Sequence, residues 1–245
     1  MALIISALGI LPSILKSYTV KGLEGVKIQL MFGDILDSKM NIIIPTNTSF
    51  DTDFSCIKKN SLQGQVCNRF YNGNPKLIYS KLNSALSDTN LSVETIPSKK
   101  VGNKIRYPKD SIVCLRNGVD ADAQTFYWIA INDHDDFGNV PICSIKITES
   151  LQKLWDYFKV QRRVQSVAIP IIGTGLAGIN QPTFDVFEYI VDSFIQVASE
   201  YRIVETLRIY IYPKNYLSYQ DFELANKYLK FRCENPLTVQ TKNVF

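Results

Sequence analysis

Three glycines in one short loop are where this chain offers the clearest chemistry. They lie in Gly173-Thr174-Gly175-Leu176-Ala177-Gly178, directly after the most apolar run of the sequence, Ser166 to Ile172. Such a run reads as a buried strand, and glycines at its carboxyl end let backbone N–H groups approach a phosphate with no Cβ in the way. The spacing satisfies GxGxxG, but a dinucleotide fold needs a helix at once and an acid at the next strand's end about 20 residues on. Here Ile179-Asn180-Gln181-Pro182 delays the helix, and position 193 falls inside it. No Gly-Lys-Ser/Thr follows, so a Walker loop fails as well. A diphosphate cradle and a tight turn that requires positive φ remain, and neither asks for a resident cofactor.

Two more segments end strands in a similar way. Phe32-Gly33-Asp34-Ile35 follows the alternating run Val26 to Phe32. A carboxylate at Asp34 can accept from an exocyclic amine such as adenine N6, or it can cap a turn. Asn47 ends the continuous apolar run Asn41-Ile42-Ile43-Ile44-Pro45. Its amide can donate to a ribose hydroxyl, or it can cap its own backbone. Phe50 and Tyr212 fall near strand ends on the same side, where each ring suits either stacking on a ligand or a core position.

Positioning these groups takes alternating strands and helices. Ser111 to Leu115, Thr125 to Ile131 and Leu207 to Tyr212 read as further strands. Helical stripes run through Leu77, Ile78, Leu82 and Leu86, through Leu151, Leu154, Trp155 and Phe158, and from Phe184 to Ala198 after Pro182. Ser218 to Asp221 has capping-box spacing for a last helix through Leu229. Residues 88–110 are polar and read as a long loop or insertion. The class is α/β with a mixed, mostly parallel sheet covered on both faces.

Composition narrows function further. With 245 residues and 46% hydrophobic content, the chain can bury a full core. A net charge of +4 without dense Lys/Arg runs suits an anionic ligand but not nucleic acid. The single histidine, His134, excludes two-histidine zinc sites; it sits in Asp133-His134-Asp135-Asp136, a solvated loop or a hard-cation cluster. Five scattered cysteines with no CxxC pair read as reduced thiols. Residues 1–22 contain the apolar run Ala2 to Leu15, ALIISALGILPSIL, too short to span a bilayer because Pro12 interrupts it. This stretch is either packed on the domain or the end of an upstream membrane region, and 23–245 form the nucleotide-binding domain.

In order and placement, Gly33-Asp34-Ile35, Ile42 to Asn47 and Ile169 to Gly178 resemble a macro domain, over about Val26 to Lys230. The resemblance implies a three-layer α/β/α sandwich in which the Asp holds adenine, the Asn lies near the distal ribose and the glycine loop wraps the diphosphate of ADP-ribose. Of the usual Asn-Ala-Ala-Asn only the second Asn is kept, as Asn47, and a glycine-rich first loop is missing. Binding without hydrolysis is therefore expected, with Asp51 or Asp53 as the sole candidates for a general base in the alternative, an ADP-ribosyl hydrolase.

Phe50-Asp51-Thr52, and Ser61-Leu62-Gln63-Gly64-Gln65 beyond it, are similar to the macro-domain sensors of Thoeris, a bacterial antiphage system. That likeness implies a cytoplasmic domain of a membrane-anchored effector. Its signal would be an ADP-ribose conjugate, such as histidine-ADP-ribose, made from NAD by a TIR-domain partner, with room for homo-oligomer assembly. Binding is expected to order the Phe50 to Gln65 segment. The residues so assigned to the ligand are Asp34, Ile35, Asn47, Phe50, Asp51, Gln65, Gly173, Thr174, Gly175, Leu176, Ala177, Gly178 and Tyr212.

Overall fold

A computed structural model describes residues 13–118, 123–133, 147–161, 164–172, 182–213 and 216–236. The apolar start through Pro12, the His134 cluster beyond Asp133 and the glycine loop 173–178 lie outside the described residues. Seven strands build the main sheet: β1 (Ile14–Thr19), β2 (Lys27–Phe32), β3 (Asn41–Asn47), β6 (Ile112–Asn117), β7 (Gln124–Asn132), β8 (Val164–Pro170) and β9 (Val204–Ile211). Their order is β1-β2-β9-β8-β3-β7-β6. The five inner strands are parallel, while β1 and β6 close the two edges antiparallel. The polar stretch 88–110 carries its own small antiparallel pair, β4 (Glu94–Thr95) with β5 (Ile105–Arg106).

Strict alternation along the inner strands sends every second side chain to a different core. Ile43, Tyr127, Ile129, Ile131, Val167 and Ile169 join the core under α3 (Ile147–Gln161), α4 (Thr183–Glu200) and α5 (Tyr216–Glu234). Ile42, Ile44, Phe126, Trp128 and Ala168 face the opposite core, under α1 (Leu62–Phe70) and α2 (Pro75–Ser87). This two-sided burial makes the strands read as continuous apolar runs, and it yields the expected three-layer α/β/α sandwich.

Most helices start where local chemistry dictates. Asn74 accepts from the Lys76 and Leu77 N–H groups ahead of α2, with Pro75 supplying the first turn's fixed φ. Pro182 stands at the start of α4, as its sequence position predicts. The last helix differs from expectation. It begins at Tyr216 and runs to Glu234, so Ser218 is inside it and not its cap. A serine in a helical turn costs only a few tenths of a kcal/mol, too little to set the boundary. Ile14 and Tyr18 pack on the core, and the Tyr18 hydroxyl donates to Asn226 Oδ1 on α5 at 2.7 Å, which ties β1 to the domain. Among the described residues no helix is long and apolar enough to cross a membrane.

Trp155 anchors the α3–α4 contact. Its ring lies 5.5 Å from Phe194, and its indole N–H donates to Ser193 Oγ at 2.9 Å. Trp155→Ala should cost about 3–5 kcal/mol in urea denaturation. Val160→Ala, at a site 76% exposed on the same helix, should change stability by less than about 0.5 kcal/mol.

Candidate functional site at the carboxyl edge of the sheet

Because β2, β9, β8, β3 and β7 run parallel, the segments that leave them emerge along one edge. Asp34 follows β2, Tyr212 follows β9, Ile171-Ile172 lead from β8 towards the glycine loop, and Thr48 and Asp133 follow β3 and β7. Three of the sequence-predicted groups, Asp34, Asn47 and Tyr212, are thus strand-end neighbours. Loops at the carboxyl ends of parallel strands are where open α/β sheets take ligands.

Asp34 is engaged as a cap. The Leu36 N–H donates to its Oδ1 at 2.9 Å, opening a single 3-10 turn, Ile35–Asp37, that buries Ile35 in the core. Its Oδ2 stands 3.9 Å from the Arg69 guanidinium at the end of α1, and Arg69 also meets Asp37 at 2.5 Å. Sequence reasoning missed Arg69, which α1 delivers beside Asp34 from 35 positions downstream. Tyr212 is half exposed on the same edge.

The segment after β3 runs inward. A bulge between Thr46 and Asn47 shifts the register against β7. Asn47 is buried, and its Oδ1 accepts from the Ser49 and Asp51 N–H groups at 3.0 and 3.2 Å. This is the backbone-capping use of the residue. It holds a turn in which Phe50 takes φ 49°, an unfavourable conformation for a bulky side chain. The Phe50 ring is buried edge-on to Tyr107, with centroids 5.5 Å apart, and so offers no stacking face at the edge.

Asp51 is deeper still. Lys99 Nζ lies 2.7 Å from its Oδ2, with side chains 2% and 0% exposed, and the Asn103 N–H donates to its Oδ1 at 2.6 Å. Asn103 Nδ2 reaches the Ser49 carbonyl, and the Tyr107 N–H donates to the Thr48 carbonyl. The insertion thereby clamps residues 48–51 from above. Gly102, at φ +78°, makes the approach possible, since a Cβ there would strike the Asp51 carboxylate and come within 2.6 Å of Cys56 Sγ.

Further along, Ser61 caps α1 by accepting from the Gly64 N–H at 3.2 Å, and Gly64 leaves room for the Lys58 and Lys59 carbonyls. The Ser-Leu-x-Gly-Gln motif is therefore a helix start. Gln65 sits half-buried on that helix, donating to the Asn60 carbonyl. The Phe50 to Gln65 segment, expected to gain order from a ligand, is held by the chain's own contacts. Asp53 accepts from the Ser55 N–H at 2.7 Å, and that bond first, with the Ser55 hydroxyl second, holds its carboxyl below the usual range. Outside this loop a groove of about 610 Å³ opens between Asp53, Lys76, Tyr79, Lys100 and Lys104; neither Asp34, Asn47 nor Tyr212 lines it.

At the far end of the edge, Thr48 Oγ1 donates to Asp133 Oδ1, and Arg106 Nε lies 3.6 Å from the same oxygen. In the sequence Asp133 stood out only as part of the acidic cluster around His134, and Thr48 and Arg106 carried no signal, Arg106 because it belongs to the stretch read as loop. Burial raises the thiols of Cys56, Cys67, Cys114 and Cys233, the last to about 12, so each stays protonated at neutral pH. Among the described residues no group of acids, cysteines or histidine is arranged to hold a metal.

Known proteins carry the same architecture. The family described as "Thoeris protein ThsA, Macro domain" matches residues 28–212. The Oceanobacillus iheyensis macrodomain with ADP superposes at a TM-score of 0.56 with 14% identity, covering 89% of this chain and 99% of its own. A point mutant of that macrodomain with ADPR gives 0.55 and 14%, covering 89% and 98%. The Trypanosoma brucei macrodomain in complex with ADP-ribose gives 0.50 and 10%, covering 80% and 68%. At these identities the structural likeness speaks for the fold. No curated protein matches the chain.

The clamp makes a direct energetic prediction. Lys99→Met strands a buried carboxylate and should cost about 3–5 kcal/mol. Asp51→Asn added to it removes the uncompensated charge and should recover much of that loss. Guanidinium denaturation of the single and double variants measures both steps.

Proposed function

This chain belongs to the macro-domain family of the Thoeris protein ThsA, and from that premise we propose that it is a sensor that binds an ADP-ribose-type nucleotide. The observation that carries the reading is the convergence of Asp34, Tyr212, Asn47 and the path into the glycine loop at the carboxyl ends of neighbouring parallel strands. On this reading Asp34 receives the adenine amine through its outer oxygen, and Ile35 fixes the turn that aims it. The N–H groups of Gly173, Thr174, Gly175, Leu176, Ala177 and Gly178 receive the diphosphate. Tyr212 lies over the middle of the ligand, and Asn47 stands by the distal ribose.

Asp51, Phe50 and Gln65 shape the floor and its supports and do not touch the ligand. Binding proceeds without turnover. Asp51 is committed to Lys99, and the lowered carboxyl of Asp53 suits it poorly as a general base. The signal is an ADP-ribose conjugate, such as histidine-ADP-ribose, made by a TIR-domain partner. Occupancy is passed to a membrane effector through an upstream segment or through assembly of copies of the chain.

Calorimetric titration with ADP-ribose and with its histidine conjugate, with products followed by mass spectrometry, tests this. The expected result is binding of both, tighter for the conjugate, with no hydrolysis. Asp34→Ala should weaken binding by about tenfold or more, equivalent to about 1.4 kcal/mol. Gly175→Glu should abolish it by placing a carboxylate in the phosphate path. Release of free ADP-ribose, lost in Asn47→Ala, would establish a hydrolase instead.

A further inference from the structure

The groove of about 610 Å³ lies apart from the nucleotide edge, and neither Thr48, Arg106 nor Asp133 lines it either. One wall is the start of α2, with Lys76 and Tyr79. The other is the insertion, with Lys100, Val101 and Lys104. Buried Asp51 and Thr52 form its base. The Thr52 hydroxyl donates to the Pro75 carbonyl at 3.0 Å, and the Asn103 N–H donates to Asp51 at 2.6 Å. Both walls are thus fastened to one base before any ligand arrives, which lowers the cost of binding.

The lining is cationic. Asp51 is neutralised by Lys99, so Asp53 is the one acid of the lining left to set against Lys76, Lys100 and Lys104. Asp53 already accepts from the Ser55 N–H. Among the described residues Lys76 and Lys100 form no ion pair, although Asp53 feels the Lys76 charge. Lys104 Nζ reaches the Pro97 carbonyl at 3.4 Å, a weak bond. The N-terminus of α2 adds partial positive charge; Asn74 already takes its Lys76 and Leu77 N–H groups, so the helix contributes field and not donors. Apolar surface stands beside these charges. Tyr79, one turn on from Lys76, is 38% exposed, and Pro75 and Val101 also line the groove.

We infer that this groove binds a small phosphomonoester that also carries an aromatic ring, at a site separate from the nucleotide edge. The phosphate is mostly a dianion at neutral pH and matches the excess of lysines over acid. Ammonium groups from both walls bond its oxygens, and the ring lies on Tyr79. A cation is repelled here, and an uncharged ligand leaves the lysines unused. The site does not depend on the proposed ADP-ribose binding.

Phenyl phosphate is the first probe, because it keeps ring and dianion and has no adenine for Asp34. Cytidine monophosphate, inorganic phosphate and phenol accompany it. Each is titrated into the ¹⁵N-labelled chain and followed by amide chemical shifts, for the wild type, the double variant Lys100→Glu/Lys104→Glu, and Tyr79→Ser, with folding checked by circular dichroism. In the wild type the Lys76, Tyr79, Lys100 and Gly102 signals should shift saturably with phenyl phosphate, with a Kd of about 1 mM. Inorganic phosphate should bind at least fivefold more weakly, and phenol should shift nothing. The double variant should lose binding. Tyr79→Ser should bring phenyl phosphate down to the level of inorganic phosphate. Both variants should bind ADP-ribose within about twofold of the wild type. Whichever of cytidine monophosphate and phenyl phosphate binds tighter assigns the natural source as a nucleotide or an aryl phosphate.

A phenyl phosphate affinity unchanged in the double variant overturns the site. So do shifts confined to the nucleotide edge, equal binding of phenyl phosphate and inorganic phosphate by the wild type, or shifts that never saturate. A wild type that binds no ADP-ribose overturns the nucleotide reading and leaves this site standing.

Discussion

Taking a lysine and an aspartate out of water together is unfavourable unless each is fully matched, and Lys99 and Asp51 meet that demand across 48 residues of sequence. The pair joins the segment leaving β3 to an insertion that would otherwise be a surface loop. Exposed pairs such as Lys159–Asp156 contribute at most about 1 kcal/mol, so they do not bear on the architecture in this way. Around the buried pair, Thr46, Asn47, Thr48, Ser49, Asp51 and Thr52 are all buried although all are polar. Such a run is tolerable only when its donors and acceptors are met internally. Asn47 from below and Asn103, Lys99 and Tyr107 from above do this. The strained Phe50 turn persists because these contacts over-determine it.

This clamp also explains a departure from the family's pattern. A glycine-rich first loop gives a ligand close access to bare backbone. Here residues 48–52 carry side chains, and all five are buried. Glycine is needed instead in the covering layer, at Gly102, where the insertion presses onto Asp51 and Cys56. Gly102 thus serves the protein side of the loop, where a Cβ would meet Asp51 and Cys56.

The sheet was legible in the sequence because two-sided burial leaves continuous apolar runs, and those runs mark β2, β3, β7, β8 and β9 closely. The edge that gathers Asp34, Asn47 and Tyr212 then follows from parallel order. The side-chain roles were less legible. Asp34 and Asn47 each had a ligand use and a capping use, and periodicity cannot choose between them; the structure shows the capping bonds of both. The helix Leu62–Phe70 was overlooked because its start, Ser61, sits in a stretch read as loop replacement, and only its cap betrays it. Arg69, Lys99 and Arg106 were invisible for one shared reason. Arg69 meets Asp34, Lys99 meets Asp51 and Arg106 meets Asp133 from distant parts of the sequence, and a charge's partner is set by tertiary contact.

A segment held by its own contacts has little conformational freedom left to lose on binding, which favours affinity. It also restricts how occupancy can be signalled. If residues 48–65 are secured by Asn47, Lys99 and the Ser61 cap, a ligand cannot report itself by folding them. A signal then has to arise where contacts are unsaturated, because a ligand shifts an equilibrium only by interactions that differ between the two states. Among the described residues of this edge, two contacts are loose: the outer oxygen of Asp34 facing Arg69 at 3.9 Å and the weakly paired Arg106. Both arginines come from outside the sheet, one from α1 and one from the insertion. Each therefore connects the ligand's edge to an element whose outer surface faces away from it, and those elements, not the buried loop, are the physical route by which occupancy can be felt elsewhere.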